Sequence, residues 1–262
     1  MHVMPENAGA LFQVASQFNL LEMPSPDVTP EDGVTNYAYD RTQGPACALA
    51  AAAATVYRNY FVPVGTQFGQ TREHQLDGFA DLGSVLGERL GMRVQDLWAM
   101  KNGYALCRSD GLGAISELLV GMEDGQIDVL RGLLRIGVHR QVEVTDADPG
   151  SHVYVTQAFC SALPVAYTRV PDQDWTEFAT LVLESAYEAT LLAAAENALS
   201  GGSNIVLLTR LGGGAFGNRD DWINQAMRRA LQRMSAVSLD VRVVSHGAPS
   251  PELIDLVWDA NE

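Results

Sequence analysis

The sequence predicts an α/β fold, and three observations carry that reading. Stretches of strand character alternate with stretches of helical periodicity along the whole chain. The C-terminal part reads strand, helix, strand: Asn204–Leu211, then a helix, then Leu239–Val244. That order is the signature of two parallel strands joined by a crossover helix. Between the first of these strands and the helix lies "LGGGAFGN" (211–218), a glycine-rich turn of the kind found where a buried strand feeds a helix N-terminus.

The elements follow in order. Ala10–Ser16 is a short buried strand. Gly44–Tyr60 is a helix: Thr42 is placed to cap it, Pro45 fits its first turn, and its alanine run has high helix propensity. Leu76–Leu90 carries apolar residues at three- and four-residue spacing, a second helix. The segments near Leu97–Leu106, Leu134–Val144 and Tyr154–Val165 read as strands. Asp174-x-x-Glu177 resembles a capping box that opens a long helix, ended by Ser200-Gly201-Gly202. Trp222, Ile223, Met227, Ala230, Leu231 and Met234 form the buried face of the crossover helix, and Pro251–Asp259 is a last short helix. Residues 1–262 read as one domain, within which about 65–150, richer in glycine and polar residues, is expected to be an insertion or elaboration.

Bulk properties narrow the function classes. The chain has 262 residues, 47% of them apolar and 19% charged, an ordinary soluble composition. The longest apolar run, Ala46–Val56, is too short to span a bilayer, so no membrane role is expected. The start "MHVMPENAG" has neither a basic nor an apolar signal region, which fits a cytoplasmic protein or an effector secreted without a signal peptide. Cys47, Cys107 and Cys160 are isolated, and no Cys/His cluster suggests a metal. The net charge is −15, with Lys101 the only lysine, so no basic stripe for nucleic acid exists. An anionic ligand must therefore be held by local backbone N–H groups rather than by the global field.

The glycine turn supplies such groups. Gly212, Gly213, Gly214 and Gly217 let the backbone turn tightly and approach a ligand, and the helix that follows offers unpaired N–H groups. Phosphate is the natural guest. The string Gly212-x-Gly214-x-x-Gly217 matches the dinucleotide fingerprint, but it lies near the end of the chain. The ribose-binding acid expected at the carboxyl end of the next strand is absent there, since Asp240 stands at the other end. No Lys-Ser/Thr follows the glycines, which excludes a P-loop.

"LGGGAFGN" is similar to the second phosphate loop of macrodomains, with Phe216 as its aromatic. "FQVASQFNLLE" followed by "GVTNYAYDRTQGPACALAA" resembles a variant of the early macrodomain signature, with Asn19 as the loop asparagine and Pro26–Gln43 as the catalytic loop. The usual glycine triplet of that loop is replaced by "TPEDGVTNYAYD". The resemblance is nearest to a divergent group of arginine-specific ADP-ribosyl hydrolases known from a bacterial effector and eukaryotic relatives. It implies a three-layer α/β/α fold with a mixed sheet, ADP-ribose as ligand and product, and no other cofactor. It also implies removal of ADP-ribose from protein side chains, arginine preferred, including arginine on ubiquitin.

On that reading Glu31, Asp32 and Asp40 are the catalytic candidates, and Asn19, Gly212, Gly213, Gly214, Ala215, Phe216, Gly217 and Asn218 the ligand-binding ones. Carboxylates suit this chemistry because cleavage at the anomeric carbon builds oxocarbenium-like charge. One carboxylate stabilises that charge or activates water, and another pairs with the guanidinium. The aspartate that binds adenine in macrodomains has only Glu6 as a weak counterpart. His74, His139, His152 and His246 are scattered, and Ser16 and Ser161 lack a nucleophile elbow. "YRNYF" (57–61) reads as core packing at a helix end, with lining of the adenosine pocket as the alternative. Two rival functions stand beside the hydrolase: a reader that binds ADP-ribose without cleaving it, and an NAD(P)-dependent oxidoreductase.

Overall fold

The computed structural model describes residues 1–148 and 150–259. Strand β1 (Leu11–Ala15) is followed by two short 3-10 turns and by α1 (Gln43–Ala50) and α2 (Ala52–Tyr60). A small hairpin, β2 (Pro63–Val64) and β3 (Gln67–Phe68), precedes α3 (Ala80–Leu90) and α4 (Val94–Leu97). A second hairpin, β4 (Trp98–Lys101) and β5 (Tyr104–Cys107), leads into α5 (Ser109–Val120) and α6 (Asp124–Arg131). Then come β6 (Gly137–Glu143), β7 (Tyr154–Cys160), α7 (Asp172–Leu199), β8 (Ile205–Thr209), α8 (Asp220–Arg233), β9 (Asp240–Val244) and α9 (Pro251–Asp259).

The central sheet has the order β6-β7-β1-β8-β9. Only β6 runs antiparallel to its neighbour; β7, β1, β8 and β9 are mutually parallel. Pairing of β8 with β9 through α8 is the crossover unit read from the sequence. Helices cover both faces, so the fold is a three-layer α/β/α sandwich with a mixed sheet. Alternation along β1 shows why. Leu11 joins the core built by α5, α7 and α8, and Gln13 bonds to Thr190 of α7, while Val14 packs on the opposite face with Cys47 of α1. Helix α7 is long and apolar enough to cross a bilayer, but 72% of its most apolar stretch is buried within the molecule, which makes it the central core helix.

Several expectations are revised. The helix expected over Gly44–Tyr60 breaks at Ala51, whose backbone leaves the helical region at φ −124, ψ 60. The break is held from a distance: Thr145 accepts from the Ala52 amide at 2.9 Å through its hydroxyl and donates its own amide to the Ala50 carbonyl at 2.8 Å. The strand expected near Leu97–Leu106 is a hairpin, turned by Asn102 (φ 45) and Gly103 (φ 78), the two positive-φ residues a tight hairpin needs. Helix α7 starts at Asp172 with Pro171 at the cap position, so Asp174 and Glu177 lie inside it and form no capping box. The stretch 65–150 supplies β6 to the sheet and Leu82, Trp98, Leu112 and Ile115 to the main core.

Candidate functional site

A cleft forms where the ladder between β1 and β8 stops. These strands pair only at Leu11–Val206 and Phe12–Leu207. Beyond that point side-chain amides replace the ladder. Gln13 Oε1 accepts from the Thr209 amide at 3.1 Å, and its Nε2 donates to Thr190 Oγ1 at 3.1 Å. Gln43, the first residue of α1, accepts from the Ala15 amide at 2.9 Å and donates to the Gln13 carbonyl at 2.8 Å. The backbone groups on this edge of β1 are thus satisfied without a neighbouring strand. Gly44 makes this possible, since a Cβ there would lie 2.0 Å from the Ala15 carbonyl oxygen. The result is a cleft of about 160 Å³ at the carboxyl ends of β1, β7 and β8, lined from Ala15–Gln17, Glu22–Pro24, Asp40, Thr42–Pro45, Thr209–Gly212 and Gly214–Phe216. Ligands of parallel α/β sheets bind at this end, where chain connections diverge to opposite faces.

One wall is the glycine loop. Gly212 (φ +75) and Gly217 (φ +72) are required by the fold: a Cβ on the first would sit 2.5 Å from the Ala162 Cβ, and on the second 2.8 Å from the Ala166 Cβ. Gly214 differs. Its φ is not positive and, among the described residues, a Cβ there would meet no atom within 4 Å. No intramolecular contact explains the missing side chain, and Gly214 lines the cleft. The loop is anchored from behind. Asn218 donates its amide to the Leu163 carbonyl at 2.8 Å, Tyr187 donates to the Thr209 carbonyl at 2.8 Å, and its oxygen accepts from the Leu211 amide at 2.9 Å. Among the described residues, no acceptor meets the amides of Gly214, Ala215 or Phe216. Across the cleft, the first amides of α1 at Gln43 and Gly44 have no capping side chain, because Thr42 stands at the cap position without bonding to them. Arg210, ion-paired to Asp220, adds a guanidinium to the lining. Bare amides on both sides, with the Arg210 guanidinium beside the loop, are groups that could hold an anion in a strongly acidic protein.

The carboxylates lie on the other wall. Asp40 is half-buried, lines the cleft and accepts from the Thr42 amide at 2.9 Å. Glu22, at 2% exposure, also lines the cleft. Arg58 Nη2 donates to both its oxygens at 3.2 Å, and that guanidinium stacks 3.6 Å over the Phe159 ring. Burial pushes the Glu22 carboxyl up to about 7, against the opposing pull of Arg58. Tyr104, Tyr167 and Phe216 form an aromatic corner with centroid separations of 5.4–5.8 Å.

The structure therefore brings together Asp40, Gly212, Gly214, Ala215 and Phe216 of the residues singled out in the sequence. Gly213, Gly217 and Asn218 shape and anchor the loop behind them. Three candidates are not brought to the cleft. Asn19 is fully buried, accepting from the Leu21 amide at 3.1 Å and donating to Gln75 at 2.9 Å. Asp32 closes the turn Pro30–Asp32 by accepting from the Thr29 amide and hydroxyl at 2.8 and 3.1 Å, which lowers its pKa. Glu31 accepts from the Arg72 amide at 2.9 Å; burial, which raises its pKa, is outweighed by this and neighbouring hydrogen bonds. Sequence reading missed Glu22, Arg210 and Tyr104. For Glu22 and Arg58 the available signal was a charge set in an apolar run, "NLLEM" and "TVYRNYF".

No family model matches the chain, and no curated protein matches it. A larger groove of about 580 Å³ lies between α8, β9 and α9, but its lining is mainly aliphatic and its charged residues Arg228 and Asp259 pair with each other.

Proposed function

We propose that the cleft binds ADP-ribose and that the protein hydrolyses the bond between ADP-ribose and an arginine side chain. The observation that carries this reading is the meeting of two chemistries in one crevice: the unpaired amides of Gly214, Ala215 and Phe216, and the carboxylate of Asp40. The amides suit a pyrophosphate, with Arg210 adding charge. At about 160 Å³ the enclosed space is below the usual range of about 300–1,000 Å³ for whole small-molecule sites. It suits the diphosphate and the ribose attached to it, with the adenosine lying beyond. Asp40 is the carboxylate on the rim, placed to pair with a guanidinium that enters from solvent. The net charge of −15 favours a cationic group on the partner protein. Residues of this chain thus supply orientation of the diphosphate, electrostatic stabilisation of a cationic sugar, and selection of the leaving group.

The test is incubation with arginine-ADP-ribosylated protein, ubiquitin among the substrates, while free ADP-ribose is followed. Glutamate- and serine-linked substrates run alongside. Release from the arginine-linked substrate supports the reading. Tight ADP-ribose binding without release from any of the three would make the protein a reader of the modification. A larger thermal shift with NAD(P) than with ADP-ribose would contradict both.

A further inference from the structure

We propose that Glu22 is the carboxylate that takes the proton from the attacking water, a catalytic residue of the hydrolysis proposed above and dependent on that reading. Three features of its surroundings point there. Glu22 lines the cleft from a buried position, whereas Asp40 stands half-buried on the rim. Its ion pair with Arg58 is open rather than a fork: one nitrogen, Nη2, spans both oxygens at 3.2 Å, and Nη1 has no partner among the described residues although Arg58 is 1% exposed. A pair built only for stability would use both prongs of the guanidinium, and buried ion pairs add little stability over apolar packing. Lastly, Arg58 is itself fixed by the Leu20 carbonyl at 3.0 Å and Thr55 at 3.3 Å, so the carboxylate is held in place.

The charged and titratable groups that face Glu22 come from three elements. Arg58 of α2 favours the carboxylate. Tyr37, whose hydroxyl accepts from the Glu22 amide at 3.0 Å, has its own ionisation pushed up, first by burial and then by Glu22. Cys47 of α1 is pushed up to about 12 by burial, with Glu22 adding to the effect. None of these competes for the proton near neutrality. Glu22, raised to about 7, is a base matched to that pH.

The step balances with water alone. The C–N bond between the ribose anomeric carbon and the guanidinium breaks, and its electron pair stays on nitrogen. A water oxygen bonds to the anomeric carbon and gives a proton to Glu22. Glu22 then returns that proton to the departing guanidine and ends ionised, as it began.

The experiment is the pH–rate profile of hydrolysis for the wild type, Glu22→Gln and Glu22→Asp, with ADP-ribose binding and thermal melting measured on each. The expected wild-type rate falls below about pH 7, as the base becomes protonated. Glu22→Gln is expected to bind ADP-ribose within about threefold of wild type and to lose about 10²–10⁴-fold in kcat. Glu22→Asp is expected to restore part of that rate with its acid limb moved in pH. Hydrolysis by Glu22→Gln at the wild-type rate would overturn the assignment while leaving the function intact. If Glu22→Gln fails to fold, the Glu22→Asp profile decides: an acid limb identical to wild type overturns the proposal. Absence of hydrolysis by the wild type would overturn the functional reading, and the Glu22 assignment with it.

Discussion

Replacing Gly214 by valine separates a ligand-driven glycine from a fold-driven one. Among the described residues a Cβ at 214 meets no atom within 4 Å, and the residue does not need positive φ. The Gly214→Val fold should therefore keep its stability within about 0.5 kcal/mol, as for surface changes away from special features. Gly214 lines the cleft of about 160 Å³, so an added isopropyl group is expected to crowd a ligand held by the amides of Gly214, Ala215 and Phe216. Each hydrogen bond from such an amide to a charged oxygen is worth about 1.5–3 kcal/mol. Loss of one bond lowers ADP-ribose affinity by about 10- to 100-fold, at 1.4 kcal/mol per factor of ten. Gly217→Ala is the matched control. Its φ of +72 and the 2.8 Å approach to Ala166 make any Cβ strained, at a cost of about 1–3 kcal/mol. That corresponds to a Tm lower by roughly 2–12 °C for a chain of this size. Calorimetric titration with ADP-ribose and a thermal melt on each variant read the two effects. Wild-type affinity in Gly214→Val, with the fold intact, would refute the claim that these amides hold the ligand.

Further outcomes follow from the same geometry. Asp40→Asn, which removes the carboxylate assigned to the guanidinium, should lower kcat/KM on the arginine-linked substrate by about 10- to 100-fold while binding free ADP-ribose nearly as wild type; Glu31→Gln and Asp32→Asn, whose carboxylates accept from the Arg72 amide and from Thr29, should keep wild-type activity in the same assay. Arg210→Ala should weaken ADP-ribose binding and flatten its salt dependence, read by titration at two ionic strengths. His139 is held near 4, first by burial and then by Arg58, well below its ordinary 6.5. The unfolded chain then binds the extra proton between these values, so the contribution of His139 to stability is full above about 6.5 and is lost as pH falls toward 4. On the order of 2–3 kcal/mol is at stake, and His139→Gln should flatten that slope in denaturant titrations at pH 5 and 7. Glu22 carries the opposite sign: its pKa is raised to about 7, so its contribution is full below about 4.5 and is lost as pH rises through 7.

What the sequence disclosed and what it withheld divide along range of interaction. Strands β1, β8 and β9 and helix α8 were legible because their patterns are local: the α8 face of Trp222, Ile223, Met227 and Ala230 is buried as its periodicity implies. The glycine loop was legible because turns need glycine. The helix break at Ala51 was not, since it rests on Thr145, far along the chain. Asp40 was found as one of several acids, but nothing local separates it from Asp32, whose carboxylate is spent on Thr29. Asn19 looked like a ligand residue because a loop asparagine suits both a ligand and a turn, and here Leu21 and Gln75 take up its amide. Glu22 escaped because its partner, Arg58, arrives from another helix.

The central claim is that the amides of the glycine loop grip the diphosphate in the same crevice that holds the carboxylates. Amide NMR during titration with ADP-ribose tests it most directly. The account predicts large, saturable downfield shifts at Gly214, Ala215 and Phe216, accompanied by shifts at Gln43 and Gly44 across the cleft. Saturable binding that leaves those five amides unmoved would contradict it.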